Sequence, residues 1–353
     1  MFEENLKDEA VQVNATVRIS ACRSLCLPLA KKVMAENTEV VKGTSLWADA
    51  WKRLLRNKLA VFGLAVLVIM IVAVAVGPAI IRWTTGFTAD YIPTEGELIK
   101  SFPPSMQHPM GTDEAGRDLL ARVLQGGRIS LMVGIISTFV SLLVGVSYGA
   151  IAGYLGGKID NLMMRIVDII YAIPYILIVI VLLSVFGGPN TPQWIKSLSD
   201  TFGGTGNQAL SQLFLLFFAL GLVSWLTMAR VVRGQILSLK NQEFVMAARA
   251  TGVSTPSIIF RHLVPNALGP VIVYATLTVP SVMLTEAFLS FLGLGVQAPY
   301  ASWGSLASDG IKNIAIYPWQ LIFPGVTMAL TLFSLNFLGD GLRDALDPQT
   351  RKF

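Results

Sequence analysis

The stretch Leu59-Ala-Val-Phe-Gly-Leu-Ala-Val-Leu-Val-Ile-Met-Ile-Val-Ala-Val-Ala-Val-Gly-Pro-Ala-Ile-Ile81 runs for 23 residues without an ionisable side chain, bounded by Arg56 and Lys58 before it and Arg82 after it. About 20 apolar residues in a helix cross a hydrocarbon core of roughly 30 Å, and there only helices and closed barrels satisfy every backbone amide. The stretch therefore reads as a membrane span. Working outward, five more apolar runs follow, uncharged except for Asp168 in the second of them. They cover Ile129 to Tyr154, Ile166 to Gly187 with Pro174 inside it, Leu213 to Ala229, Leu263 to Thr285, and Asn313 to Gly339. Six spans put both termini on one side of the membrane. The fold class expected is an all-α polytopic membrane protein with six transmembrane helices.

Composition agrees. A soluble domain carries roughly a quarter charged residues, about 88 at 353 residues, whereas this chain has 27 Lys and Arg and 22 Asp and Glu. Apolar residues make up 53% and the mean hydropathy is +0.61. These values exclude most soluble enzymes, disordered regulators and nucleic-acid binders, and a net charge of +5 is too small for a phosphate-tracking surface. Lys and Arg are roughly twice as numerous in the segments on the side of the termini as in the opposite loops, so both termini are expected to be cytoplasmic. The first outer loop also carries Asp90, Glu95, Glu97, Asp113, Glu114 and Asp118.

The expected organisation is a tail at 1–41, a cytoplasmic amphipathic lead at 42–58, the first span at 59–81 and an outer loop at 82–128. A core of five spans occupies 129–339, with a cytoplasmic loop at 230–265, and residues 340–353 form a cytoplasmic end. The tail lacks the apolar region of a signal peptide. It reads equally as a cytoplasmic tail or as translated upstream sequence with the biological start at Met34. Cys22 and Cys26 are too few for a disulfide framework or a zinc site.

The cytoplasmic stretch Glu243-Phe-Val-Met-Ala-Ala-Arg-Ala-Thr-Gly252 is helix-forming, opens on an acid that suits a helix N-terminus, and ends at a glycine suited to a left-handed stop. Ala247 and Ala248 are small enough to let another backbone approach, and Pro265 stands where the fifth span begins. On physics alone an ordinary interfacial helix is the favoured reading.

The spacing Ala-Ala-x3-Gly-x12-Pro, however, resembles the "EAA" loop of bacterial ATP-binding-cassette importer permeases. Met246 stands where the general motif has Glu, His262 where it has Ile and Val264 where it has Leu. Further stretches point to one branch: His-Pro-Met-Gly-Thr-Asp-x-x-Gly-Arg-Asp at 108–118, Gly-Arg-Ile-Ser-Leu-Met-Val-Gly at 127–134, and Arg-His-Leu-Val-Pro-Asn at 261–266. Phe-Leu-Ser-Phe-Leu-Gly-Leu-Gly at 288–295 and Gly-Asp-Gly-Leu-Arg-Asp-Ala-Leu-Asp-Pro at 339–348 complete the set. They resemble the C-type permease subunit of oligopeptide and dipeptide importers, over about Ser45 to Arg351. Trp225, the run at 228–235 and Ser238-Leu-Lys240 resemble the oligopeptide branch more closely.

The resemblance implies a type I importer (MetI-like) permease core in a bacterial inner membrane, pairing with a homologous B-type permease. Two ATPase subunits would lie beneath and a peptide-binding protein on the outer side. Glu243, Ala247, Ala248, Gly252 and Pro265 would then couple to the ATPase. Bulk at Ala248 or Gly252 is expected to abolish uptake while membrane insertion survives. Nickel, murein fragments and antimicrobial peptides remain alternative cargoes within such a family. No G-x-x-x-x-G-K-[ST] loop occurs, the nearest approach being Gly156-Gly157-Lys158-Ile159. ATP is therefore expected to be bound by partner subunits, and neither cofactor, metal nor catalytic residue is expected in this chain.

Other features carry competing readings. Ser137, Ser141, Gly145, Gly149 and Gly153 place a small residue at every fourth position of span two, which suits close helix packing within the subunit or against the partner permease. Gly145-Val-Ser-Tyr-Gly149 also matches the G-x-S-x-G of serine hydrolases, but His108 and His262 fall in loops on opposite sides and cannot serve as its base. An i,i+3 pair is expected between Arg165 and Asp168. Glu286, at the outer end of span five, either faces the transport path or a partner, or reaches the outer interface. Outer residues His108, Thr112, Asp113, Arg117 and Asp118 form a turn before a short helix that Thr112 or Asp113 would cap. They either meet the binding protein or pack on their own subunit. A stand-alone secondary transporter would need inverted repeats and midplane charge, and neither is evident.

Overall fold

The computed structural model describes residues 46–86, 88–92, 101–186, 193, 197 and 208–346. The chain divides into two units, Met1–Asp49 and Ala50–Phe353, and of the first only the opening of one helix is described. Cys22, Cys26, Met34, Gly187 and the closing Asp347-Pro348 of the last motif lie outside the described residues.

The described residues are helical, apart from turns and one isolated antiparallel bridge between Thr112 and Asp118. A short helix α1 (Leu46–Arg56) leads into α2 (Lys58–Thr84), which Asn57 caps by accepting from the amides of Leu59 and Ala60. Then come α3 (Leu119–Leu155), α4 (Gly157–Tyr171), α5 (Tyr175–Phe186) and α6 (Gln208–Leu239). The short α7 (Glu243–Ala250) precedes a single turn, Thr255–Ser257, that continues through a π-helical turn at Ile258–Leu263 into α8 (Val264–Phe291). Finally, α9 (Trp303–Lys312) lies between the fifth span and α10 (Trp319–Leu346). Among the described residues five helices are long and apolar enough to cross a membrane, and α4 with α5, bent by 84°, adds a sixth if the pair is one broken span rather than a re-entrant loop.

Three boundaries differ from expectation. Span two begins ten residues early, because Asp118 caps α3 by accepting from the Ala121 amide at 2.8 Å, and the expected short outer helix is simply its first turns. Neither Thr112 nor Asp113 serves as the cap. Span four continues to Leu239, so the cytoplasmic loop starts with helix rather than turn. Pro265 is not a junction. The helix passes through it, since a proline in the first turn of α8 gives up an amide the π turn does not use, and the Val264 amide reaches back to Ile259 instead.

The broken third span has a local cause. Pro174 cannot donate and disfavours helix in the residue before it, so α4 ends at Tyr171 and the chain restarts at Tyr175. The twelve residues of α5 rise about 18 Å, short of the hydrocarbon thickness, so α5 does not cross it alone.

The small-residue stripe of α3 packs inside the subunit, against α6. A Cβ at Gly149 would lie 2.3 Å from the Ala229 carbonyl oxygen, one at Gly145 would lie 2.6 Å from Met228 Cβ, and one at Gly153 would lie 3.0 Å from the Arg233 carbonyl oxygen. Ser137 Oγ donates to the Phe217 carbonyl at 2.7 Å. Ser141 is fully buried in the same face, and its hydroxyl has no protein partner. Near the C-terminal end of α3, Arg233 of α6 holds buried Asp160 of α4 with two bonds of 2.5 and 2.7 Å. Arg230 reaches Asp168 at 2.9 Å, which replaces the expected Arg165–Asp168 pair with one between helices.

Candidate functional site

The short helix α7 is bounded as the sequence led one to expect. Glu243 occupies its first turn, and beyond Thr251 the chain turns left-handed at Gly252, with φ of +77°. The Gly252 amide returns to the Arg249 carbonyl and the Val253 amide to the Ala248 carbonyl, which is a Schellman stop. This termination needs glycine because other L-residues pay about 1–2 kcal/mol in that region.

The two faces of α7 do different work. Val245 and Ala248 are buried against Ile258, Ile259 and Leu263, in one core with Met228, Val232 and Ile236 of α6. Glu243, Phe244, Met246, Ala247 and Arg249 are exposed. Ala248 is thus corrected from a docking residue to an anchor: bulk there strikes the chain's own core. Gly252 has open space around it, so a side chain there acts through backbone strain rather than through contact. Arg249 also ties α7 to the end of α3, its Nε donating to the Tyr154 hydroxyl at 3.3 Å and its guanidinium lying 5.1 Å from the Tyr154 ring centre.

The outer motif is an intramolecular scaffold. Asp113 Oδ1 accepts from the Ala115 and Arg117 amides at 2.9 Å, while its other oxygen takes the side chains of Arg117, at 2.8 Å, and Arg122. His108 Nδ1 lies 2.8 Å from Asp118 Oδ2. Thr112 is fully buried, its hydroxyl accepting from the Phe102 amide at 2.7 Å and its carbonyl from Gln320 Nε2 at 3.0 Å. Of the five residues expected to face a partner or the outer vestibule, Thr112, Asp113 and Asp118 are buried, and all five are engaged within the subunit.

The stretch Gly127-Arg128-Ile-Ser130 acquires a physical role the sequence did not disclose. Gly127 makes room for Trp303, since a Cβ there would fall 2.6 Å from the indole. Ser130 Oγ accepts from the Trp303 amide at 3.0 Å, and the indole donates to the Val123 carbonyl at 2.8 Å. Arg128 donates to the carbonyls of Val74 and Ala75, at 2.8 and 2.6 Å. The Val74 carbonyl lies four residues before Pro78, which has no amide to give it.

Glu286 is corrected as well. It faces neither a path nor the interface. It is 1% exposed and accepts from Ser290 Oγ at 2.8 Å and from Ser302 Oγ, the cap of α9, at 2.6 Å.

A cavity of about 540 Å³ opens where the third span breaks. Residues 170–175 of the bend, 223–227 of α6 and 274–285 of α8 line it. Of the lining residues, sequence reasoning singled out Pro174, as a kink that shapes a central pathway, and assigned none of the polar ones. The available signal was the recurrence of Tyr, Ser and Thr in otherwise apolar runs, but one sequence cannot say which helix faces such residues share.

The family described as binding-protein-dependent transport system inner membrane component matches residues 145–352, and the N-terminal TM domain of oligopeptide transport permease C matches residues 45–94. The oligopeptide transport system permease protein OppC of Haemophilus influenzae is 48% identical over 313 residues, covering 88% of this chain and 91% of that protein. OppC of Bacillus subtilis is 44% identical over 88% of this chain and 92% of its own length. The dipeptide transport system permease protein DppC of Bacillus subtilis is 44% identical over 86% of both chains. Among solved structures, a crystal form of the MetNI methionine ABC transporter aligns with 65% of this chain and 96% of its own, with 20% identity and a TM-score of 0.46. With its family matched from the end of α3 to beyond α10 and relatives aligned along nearly their whole length, this chain belongs to the family of binding-protein-dependent transport system inner membrane components.

Proposed function

We propose that the chain is a permease subunit of an ATP-driven peptide importer, in which α7 receives the movement of a separate ATPase subunit and passes it to the spans that form part of the path. The observation that carries this reading is the two-faced α7: one face anchored by Val245 and Ala248, the other presenting Phe244, Met246 and Ala247. A helix packed into the ends of α6 and α8 transmits a push as a rigid body, because close-packed interiors shift between arrangements rather than deforming continuously. The names of the relatives support a peptide cargo, with oligopeptides ahead of dipeptides. The basic residues of the cytoplasmic connections support an orientation with both termini in the cytoplasm. A second, homologous permease would complete the path, two ATPase subunits would supply hydrolysis, and an outer binding protein would deliver the peptide.

The test is reconstitution with the co-encoded neighbours and measurement of ATP-dependent peptide uptake. Ala247→Trp adds bulk only to the exposed face of α7. It is expected to lower uptake at least about tenfold, a loss of roughly 1.4 kcal/mol, with membrane amount and melting temperature unchanged. Wild-type uptake by that variant would show that this face docks nothing.

A further inference from the structure

The cavity at the break of the third span differs from every other polar cluster among the described residues. Ser137, Ser130 and Glu286, by contrast, are each buried and bonded to a fixed neighbour. Around the cavity, Tyr175 of α5, Ser224 and Thr227 of α6, and Tyr274, Ser281 and Thr285 of α8 converge from three helices, and none of the lining side chains carries a charge. Ser224 Oγ donates to the Leu220 carbonyl at 2.8 Å, Thr278 Oγ1 to the Tyr274 carbonyl at 2.8 Å and Thr285 Oγ1 to the Ser281 carbonyl at 2.9 Å, each along its own helix. Such a set can exchange partners with an incoming molecule, because each hydroxyl both donates and accepts. The backbone at residues 172–174 is not helical. Irregular backbone within a membrane is tolerated only where protein buries it or water reaches it. One turn beyond the lining, Arg230 pairs with Asp168 at 2.9 Å and lies 4.3 Å from the Tyr171 ring centre, placing the nearest charges at one end of the wall.

We propose that this cavity is a subsite for the main chain of the transported peptide, in which the hydroxyls of Tyr175, Ser224, Thr227 and Ser281, all on its wall, bond successive amides and carbonyls of an extended segment. The inference rests on the reading of the cargo as a peptide. Its volume falls within the roughly 300–1,000 Å³ of sites that hold small molecules, enough for a few extended residues and too little for a folded chain. A wall that bonds the repeating main chain and offers no charge to side chains passes peptides regardless of their side-chain charge. Hydroxyls suit a path better than carboxylates or ammonium groups would, because each bond is worth little net and is readily exchanged.

The experiment uses the assembled transporter in vesicles, with the binding protein pre-loaded so that capture is not read. Tyr175→Phe and Thr227→Val, which remove hydroxyls at nearly constant volume, are each expected to slow uptake about fivefold, alike for lysine- and glutamate-bearing peptides, with ATP turnover retained. A peptide N-methylated at its central amides should be slowed in the wild type and slowed less in these variants, the signature of a shared interaction. In parallel, Ser281→Cys in a background with Cys22→Ser and Cys26→Ser should be labelled by a water-soluble maleimide and protected by peptide under turnover. Unchanged uptake in both hydroxyl variants, or no labelling at position 281, overturns the subsite. A wild-type complex that hydrolyses ATP but takes up no peptide overturns the peptide reading instead, and is recognised before any variant is made.

Discussion

Ala247 and Ala248 are adjacent and chemically identical, yet the fold gives them opposite tasks. Helical spacing turns Ala248 into the core formed with Ile258, Ile259 and Leu263 and leaves Ala247 in the open. Ala248→Leu overfills a packed site, and the expected cost is about 1–3 kcal/mol, read as a lowered melting temperature of the purified subunit or complex. Ala247→Leu should leave the melting temperature unchanged, since exposed substitutions fall within about 0.5 kcal/mol. Glu286 makes a similar point about chemistry. Its carboxylate collects the hydroxyls of Ser290 and Ser302 and thereby joins α8 to the cap of α9. Glu286→Ala removes the shared acceptor and should cost about 1–3 kcal/mol in thermal unfolding, whereas Glu286→Gln keeps an acceptor oxygen and should lose less. Equal melting of the two variants would mean that the carboxyl oxygen is not what holds α9.

Between elements, the decisive contact is α3 on α6. Lipid is as apolar as leucine, so helices in a membrane gain by packing closely and bonding across the seam rather than by leaving water. Gly145, Gly149 and Gly153 bring the α3 backbone to within van der Waals distance of Met228, Ala229 and Arg233, and Ser137 adds a bond to the Phe217 carbonyl. Gly149→Val, which must push the helices apart, is expected to prevent the folded chain from accumulating, and Gly149→Ala to destabilise it by about 3 kcal/mol. Gly234→Ala, on an open face of α6 with no atom nearby, should be neutral or stabilising by up to about 1 kcal/mol. Protease resistance and thermal melting of the three variants check the ranking. The same seam disposes of the hydrolase pattern, because Ser147 shares a span with these glycines while His108 is held by Asp118 at the outer end of α3.

At the scale of the molecule, one topology must satisfy both the charge pattern and the coupling helix. If the basic connections lie in the cytoplasm, alkaline phosphatase fused after Met106, in the outer loop, should be active. The same enzyme fused after Phe353 should be inactive, while a fluorescent protein there should be bright. The reverse pattern would place α7 on the side away from any ATPase and end the coupling proposal. The described core falls into separate clusters, each spanning several helices. One cluster joins α3, α6, α7 and α8, and another gathers α2, α3, α9 and α10 around Trp303. A push at α7 therefore meets packed side chains rather than a loose connection.

The apolar runs that became the long helices and the limits of α7 were legible in stretches such as 59–81 and 243–252, because they depend on local quantities: runs nearly free of charge and the left-handed preference of glycine. The tertiary structure alone decided which side of each helix met which neighbour. It gave Asp168 to Arg230 instead of Arg165, turned Ala248 inward, drew Thr112, Asp113 and Asp118 into the subunit, and buried Glu286 beneath α9. It also brought hydroxyls from α5, α6 and α8 to one cavity. The physical reason is that a membrane suppresses the polar-out, apolar-in alternation by which a soluble helix announces its buried face. Where lipid and protein core are equally apolar, only the packing itself tells the two faces apart.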